Sequence, residues 1–314
     1  MSTESPIRVL LGPQRPTRNI TEAVANAGLP EGPLAVISAA WQEAEGDIDD
    51  VRELVDRPLE DLRLYRRAEE VESRDPTLAA ATRRRQERLI AQQRIYRLRL
   101  KQLSIAARQT LRAEGEHDML VAEQRHAIAQ LRALDRHHLH RTESIWSEFL
   151  DRYNPEAHSL LAEQAVEIGE AIGRCAGILI TGGNVAILLN RLRLFGLDRY
   201  LRTNPIIAWS AGAMVLAERI VLFHERSPEG RRDAEVFGAG CRIVPGYVLL
   251  PDAKHRLRSN ETTRVGLMSR RFSPDVCLAL DNGAELHVDA DTIRYANSVR
   301  MLNRDGRLKK VRAA

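Results

Sequence analysis

Ser210 is the side chain in this sequence best placed to act as a nucleophile. It follows the apolar run Pro205-Ile206-Ile207-Ala208-Trp209 and precedes Ala211-Gly212-Ala213-Met214 and a helix-compatible stretch. Small residues on either side of a serine let the chain turn sharply from strand to helix. The hydroxyl is then exposed, and the next N–H and the helix N-terminus face a developing oxyanion. The usual pattern has glycine two residues before the serine, where this chain has Ala208. A second turn, Gly182-Gly183-Asn184, ends the apolar run Ile178-Leu179-Ile180-Thr181. Glycines there let backbone N–H groups approach an anion or a carbonyl oxygen. Asn184 and Ser210 are 26 residues apart, one β/α unit. A parallel sheet would therefore bring both turns to carboxyl strand ends, where open α/β sheets place their sites.

The elements that must position these turns follow a regular rhythm. Residues 7–65 alternate IRVLL, NITEAVANAG, PLAVISAAW, GDIDDVRELVD and DLRLY, which predicts strand, helix, strand, helix, strand. The strands resume in AGILITGGN, PIIAWSAGA and VCLALDNGAELHV. The fold class expected is α/β, a mostly parallel sheet with flanking helices. Residues 66–155 interrupt it and are dense in Arg, Glu, Gln, Ala and Leu, a composition that favours long helices. Apolar seams run through Leu89, Tyr96, Leu100, Leu103 and Ala107, and through Leu120, Ala127, Leu131, Leu134 and Ile145. Gly115 is the natural turn between them, so the expectation is a coiled-coil-like helical hairpin, prolonged by a helix at 156–173. The organisation predicted is a split α/β domain, 1–65 and 156–314, with a helical insertion at 66–155.

The segments ILITGGNVAILLNRL, IIAWSAGAMVLAERI and ALDNGAELHV, in that order, resemble the peptidase E and cyanophycinase family of serine peptidases, which has a class I glutamine amidotransferase-like fold. The resemblance covers most of 7–65 and 175–290; residues 66–150 have no counterpart in compact members. It implies Ser210 as nucleophile and the backbone of Gly183 and Ala211 as oxyanion hole. It also implies a general base within GAGCRIVPGYVLLPDAKHRLRSNETTR. Two alignments compete there. One puts His255 at the base position and is preferred on family order; the other puts Asp252 there and breaks the triad. The acidic third member falls on Glu225, with Glu235 and Asp233 as alternatives. Asn184, Arg256 and Arg258 are implied as substrate-binding, with Arg264 nearby. The implied reaction is acyl transfer through a Ser210 ester on small or aspartyl-containing peptides, with no metal and no cofactor. The alternative is an impaired member that works as a binding or scaffold protein through its hairpin.

Composition bounds the rest. With 314 residues, 44% hydrophobic and 29% charged, a sizeable core is available, and no apolar run is long enough for a membrane span. No signal peptide is legible, so a cytoplasmic location is expected. Cys175, Cys241 and Cys277 show no ligand spacing, which fits buried thiols in a reducing compartment. In RHHLHR the adjacent His137 and His138 point to different sides of a helix and the i,i+4 spacing of a chelating pair is absent, so His137, His138 and His140 are expected to be surface residues rather than metal ligands. The formal charge is +4, yet residues 83–112 alone carry +9. Such a helix suits a protein or nucleic-acid partner, or is simply a solvated face whose arginines pair with neighbouring acids. Tyr96, its one aromatic residue, argues against single-strand stacking. A homo-oligomer is expected.

Overall fold

Four short, wholly buried strands, apolar except for Arg8, form the centre of a mainly parallel sheet in the computed structural model, which describes residues 6–223, 233–289 and 292–312. Continuous apolar strands are what a sheet covered on both faces requires. The chain runs β1 (Arg8–Leu11), α1 (Ile20–Asn26), β2 (Leu34–Ile37), a 3-10 turn (Ala39–Ala44), α2 (Asp49–Leu54), β3 (Leu59–Asp61) and α3 (Leu64–Arg74). The helical hairpin follows as α4 (Pro76–Arg112) and α5 (His117–Arg152), then α6 (Ser159–Gly173). The sheet resumes with β4 (Gly177–Ile180), α7 (Val185–Leu194), α8 (Asp198–Thr203), β5 (Ile206–Trp209) and α9 (Ala211–Leu216). Next come β6 (Arg219–Leu222), β7 (Glu235–Ala239), β8 (Tyr247–Pro251), α10 (Ala253–Arg256) and α11 (Thr262–Phe272). Strands β9 (Val276–Asp289), β10 (Thr292–Leu302) and β11 (Leu308–Lys310) close the order.

Among the described residues the sheet order is β11-β10-β9-β1-β5-β4-β2-β3, with β8 also paired to β9. The pairs β1–β5, β5–β4, β4–β2, β2–β3 and β8–β9 are parallel; β1–β9, β9–β10 and β10–β11 are antiparallel. Side chains alternate between two cores, as a pleated strand demands. Val9, Leu11 and Val36 face Ile20, Val24 and Val51 from α1 and α2. Leu10, Ile37 and Ile180 face α3, α6 and α7 through Val71, Ile168 and Leu188.

Strand β9 explains how distant segments meet. It runs beside β8 as far as Leu280 and beside β1 from Glu285 onward. Its middle therefore lies over the carboxyl end of β1, where the Gly12 N–H donates to Ala284 O at 3.0 Å. A Cβ on Gly12 would sit 1.9 Å from Asp281 O, so only glycine permits that approach. The end of β8, Pro251, pairs with Leu280 and is thereby delivered to the same rim.

The hairpin forms as expected, but its two helices are docked along their length. Asp75 caps α4, accepting from Thr77 N (2.9 Å) and Leu78 N (3.0 Å), and Pro76 occupies the first turn. Tyr96, Leu100 and Ala107 share one core with Leu131 and Leu134 of α5, and with β7, β8 and α11. At its centre Arg271 of α11 holds Asp135 of α5 through two bonds (2.6 and 2.7 Å), donates to the Tyr96 hydroxyl (2.7 Å) and to Ala234 O (2.6 Å). Burial works against the Arg271 charge, but Asp135 outweighs it and the guanidinium pKa is raised.

Two expectations need correction. DLRLY is not a strand: β3 ends at Asp61, and Leu64 and Tyr65 begin α3, where Leu64, Ala68 and Val71 face the core at helical spacing. His138 is not a surface residue. It is buried, with its ring stacked on Tyr96 at 4.0 Å, while His137 and His140 are exposed.

Candidate active site

Ser210 sits at the tip of β5, between the carboxyl ends of β1 and β4, with its N–H donating to Leu11 O at 3.1 Å. Its backbone is at φ 49°, ψ −116°, a region that non-glycine residues avoid, and α9 starts at the next residue. This is the geometry of a nucleophile elbow. The turn fits because its neighbours are small. A Cβ on Gly212 would meet Ile180 O at 2.5 Å, and one on Gly182 would meet Ser210 Cβ at 2.9 Å. Among the described residues no group hydrogen-bonds the Ser210 hydroxyl.

The Gly182-Gly183 turn is pressed against the 3-10 turn after β2. Gly183 is at φ +131°, and a Cβ there would meet Ala40 O at 2.6 Å. Asn184 N–H donates to Ala40 O at 2.9 Å, which fixes the turn. The Asn184 side chain caps α7, accepting from Ala186 N (3.0 Å) and Ile187 N (3.3 Å). Its Oδ1 is thus committed to the helix end, and the residue is not in the cavity wall. The N–H groups of Gly183 and Ala211 make no hydrogen bond among the described residues, and both residues line one cavity with Ser210.

That cavity measures about 770 Å³. Beside the elbow its wall includes Trp41, Trp209, Met214 and Phe223, and it carries charges of both signs. Arg15 and Arg18, from the loop after β1, lie 2.8 and 3.6 Å from Asp50 of α2. Asp252 and Arg256, from the end of β8 and from α10, face it from another side. Sequence reading missed Arg15, Arg18, Asp47 and Asp50. The signal available was positional: they follow β1 and β2, whose carboxyl ends must open on the same rim as Ser210.

The base segment resolves into a pair. Asp252 has a left-handed backbone (φ 61°, ψ 35°) just beyond β8, and its N–H donates to Leu280 O at 3.0 Å. Its Oδ1 accepts from His255 Nδ1 at 2.6 Å, and its Oδ2 from Arg256 Nε at 3.3 Å. Asp252 lines the cavity; His255 does not, and its side chain is 68% exposed. Ser210, Asp252 and Arg256 are therefore brought together, with His255 one hydrogen bond behind.

Of the other expected residues, those that are described lie elsewhere. Glu225 falls outside the described residues. Glu235 is buried against the hairpin, bonded by Arg97 and by Gln93 Nε2 at 3.1 Å. Asp233 pairs with Arg108, and with Arg264 at 3.3 Å. Both alternatives for a third member thus anchor α4. Arg258 bonds Glu261 at 2.7 Å and is absent from the cavity wall. Burial pushes the Cys241 and Cys277 thiols up to about 12, so neither is poised as a nucleophile.

Comparison with known proteins places this geometry in context. The profile of peptidase family S51 matches residues 115–296, from the hairpin turn into the first half of β10, including Ser210 and the Asp252–His255 pair. No curated protein matches. Among solved structures, a peptidase from an acI-B1 Actinobacterium is similar at 13% identity and a TM-score of 0.47, over 99% of this chain and 95% of that one.

Proposed function

The chain belongs to peptidase family S51, a family of serine-type peptidases, and from that premise we propose that Ser210 is its nucleophile and His255, oriented by Asp252, its general base. The observation that carries this reading is the strained elbow at Ser210, opening on a cavity whose wall also holds Asp252. The bond from His255 Nδ1 to Asp252 is the link that fixes an imidazole tautomer in a serine triad, and it leaves Nε2 to take a proton. A substrate peptide entering the cavity draws the exposed His255 ring from solvent toward Ser210; catalytic bonds commonly tighten only when substrate is bound.

The steps follow from those placements. His255 Nε2 accepts the Ser210 proton as Oγ bonds to the peptide carbonyl carbon. The oxyanion is received by the N–H groups of Gly183 and Ala211. The C–N bond breaks as His255 returns the proton to the leaving amine, and water, activated by the same imidazole, hydrolyses the ester. Asp47, Asp50 and Asp252 balance Arg15, Arg18 and Arg256 in the cavity wall, so an acidic side chain or carboxyl group on the substrate is assigned to Arg15 and Arg18, which share the one carboxylate of Asp50.

The test is hydrolysis of aspartyl dipeptides and aspartyl p-nitroanilide. Ser210→Ala should remove activity by on the order of 10⁴-fold or more, and His255→Ala should lower kcat by about 100-fold or more. One observation favours a second reading: His255 stands off the cavity wall. On that reading the cavity binds acidic peptides without cleaving them. Wild-type protein that binds aspartyl peptides by calorimetry but turns none over would select it.

A further inference from the structure

The outer face of α4 is left uncovered in a way the hairpin core does not explain. Its inner face is used up: Tyr96, Leu100 and Ala107 are buried against α5 and the sheet. Yet Ile95, Leu98 and Ile105 are 56%, 70% and 37% exposed. With Ala91 they recur at alternating steps of three and four residues, 91, 95, 98, then 102 and 105, the seam of a helix that packs against another helix. Gln102 occupies the one seam position without an apolar side chain.

Charge decides the occupant. Arg84, Arg94, Arg99 and Lys101 flank the seam, and among the described residues none of them has an acidic partner, whereas Arg88, Arg97 and Arg108 are paired with Glu148, Glu235 and Asp233. The pairing of α4 with neighbouring acids thus stops at its inner and lateral faces. A second copy of α4 would bring the same cations against themselves, which costs free energy. Nucleic acid would take the cations but would set Leu98 and Ile105 against phosphates. A membrane would have to accept Gln102 on the inserted face, whereas a facing helix can pair its amide.

We propose that this face is a docking site for an acidic amphipathic helix of a partner protein, whose apolar residues meet Ile95, Leu98 and Ile105 and whose carboxylates meet Arg94, Arg99 and Lys101. The proposal does not depend on the identity of the nucleophile, since none of these residues lies in the cavity wall.

The probe is a synthetic peptide of about three heptads with Leu and Ile on its seam and Glu at the flanking positions. A peptide of the same composition with the seam scrambled is the control. Calorimetry on the full chain should show saturable one-to-one binding of the seam peptide only. Leu98→Asp and Ile105→Asp should each weaken it by about tenfold or more, with circular dichroism and peptidase activity unchanged, because both side chains already face water. Raising the salt should weaken binding without abolishing it. Failure of the seam peptide to bind, or equal binding of the scrambled one, overturns the proposal. So does sedimentation showing a dimer that Leu98→Asp dissolves, or binding of duplex DNA or phosphatidylglycerol vesicles that Leu98→Asp abolishes.

Discussion

Ser210 keeps a φ of 49° only because its neighbours leave it no other course. Leu11 O fixes its N–H, and Gly182 and Gly212 let β4 close on the turn. That much was legible in the sequence, because small residues around a serine between an apolar run and a helix have few other uses. The base was not. His255 and Asp252 were competing choices for one position, and they are instead hydrogen-bonded to each other. The relation depends on the left-handed turn at Asp252, which no residue pattern announced. Gly183 offers a direct test at this scale. An alanine there would strain φ +131° and press on Ala40 O, so Gly183→Ala should cost about 1–3 kcal/mol in urea unfolding. Because it displaces one proposed oxyanion donor, kcat should fall by about 10²-fold or more while KM changes little.

At the scale of elements, the central strands were readable because LAVI, GILI and IIAW, and Val9-Leu10-Leu11 after Arg8, are continuous apolar runs. Strand β3 was misplaced because Leu62 and Leu64 alternate with Asp61 and Arg63, although Leu64 already opens a helix. Nothing local signalled that Asp135 and Arg271, 136 residues apart, would form the buried centre of the hairpin's attachment. Removing one partner of such a pair leaves a buried charge alone. Asp135→Ala should therefore cost about 3–5 kcal/mol in chemical denaturation, far more than removal of an exposed acid.

His138 makes the same junction sensitive to acid. Burial pushes its imidazole down to about 4 from the usual 6.5, with Asp135 opposing only in part. Between those values the unfolded chain binds the proton and the folded chain does not, so stability is full above pH 6.5 and falls as pH drops toward 4. The loss attributable to His138 is about 3 kcal/mol. It should appear as a difference in urea midpoints between pH 7 and pH 4.5 that is smaller in His138→Phe, which keeps the stack on Tyr96. Equal pH dependence in both proteins would show that His138 is not the group responsible.

Across the whole molecule, the near-neutral charge of +4 conceals a division. The basic helix α4 spends Arg97 and Arg108 on Glu235 and Asp233, two acids that the family resemblance had offered to the catalytic site. The hairpin is thus bound to β7, to the residues just before it and to α11, not carried as a separate appendage. Arg85 is buried against Trp146 and Phe149, while Arg94, Arg99 and Lys101 remain on the outer face. Family membership and an open elbow together make one claim central: the Ser210 hydroxyl is an activated nucleophile. Incubation of the full chain with a fluorophosphonate probe, followed by peptide mass spectrometry, tests it most directly. The expected result is a single adduct on Ser210, lost in Ser210→Ala and slowed in Asp252→Asn and His255→Ala. An unlabelled wild-type protein, or an adduct on any other residue, would contradict it.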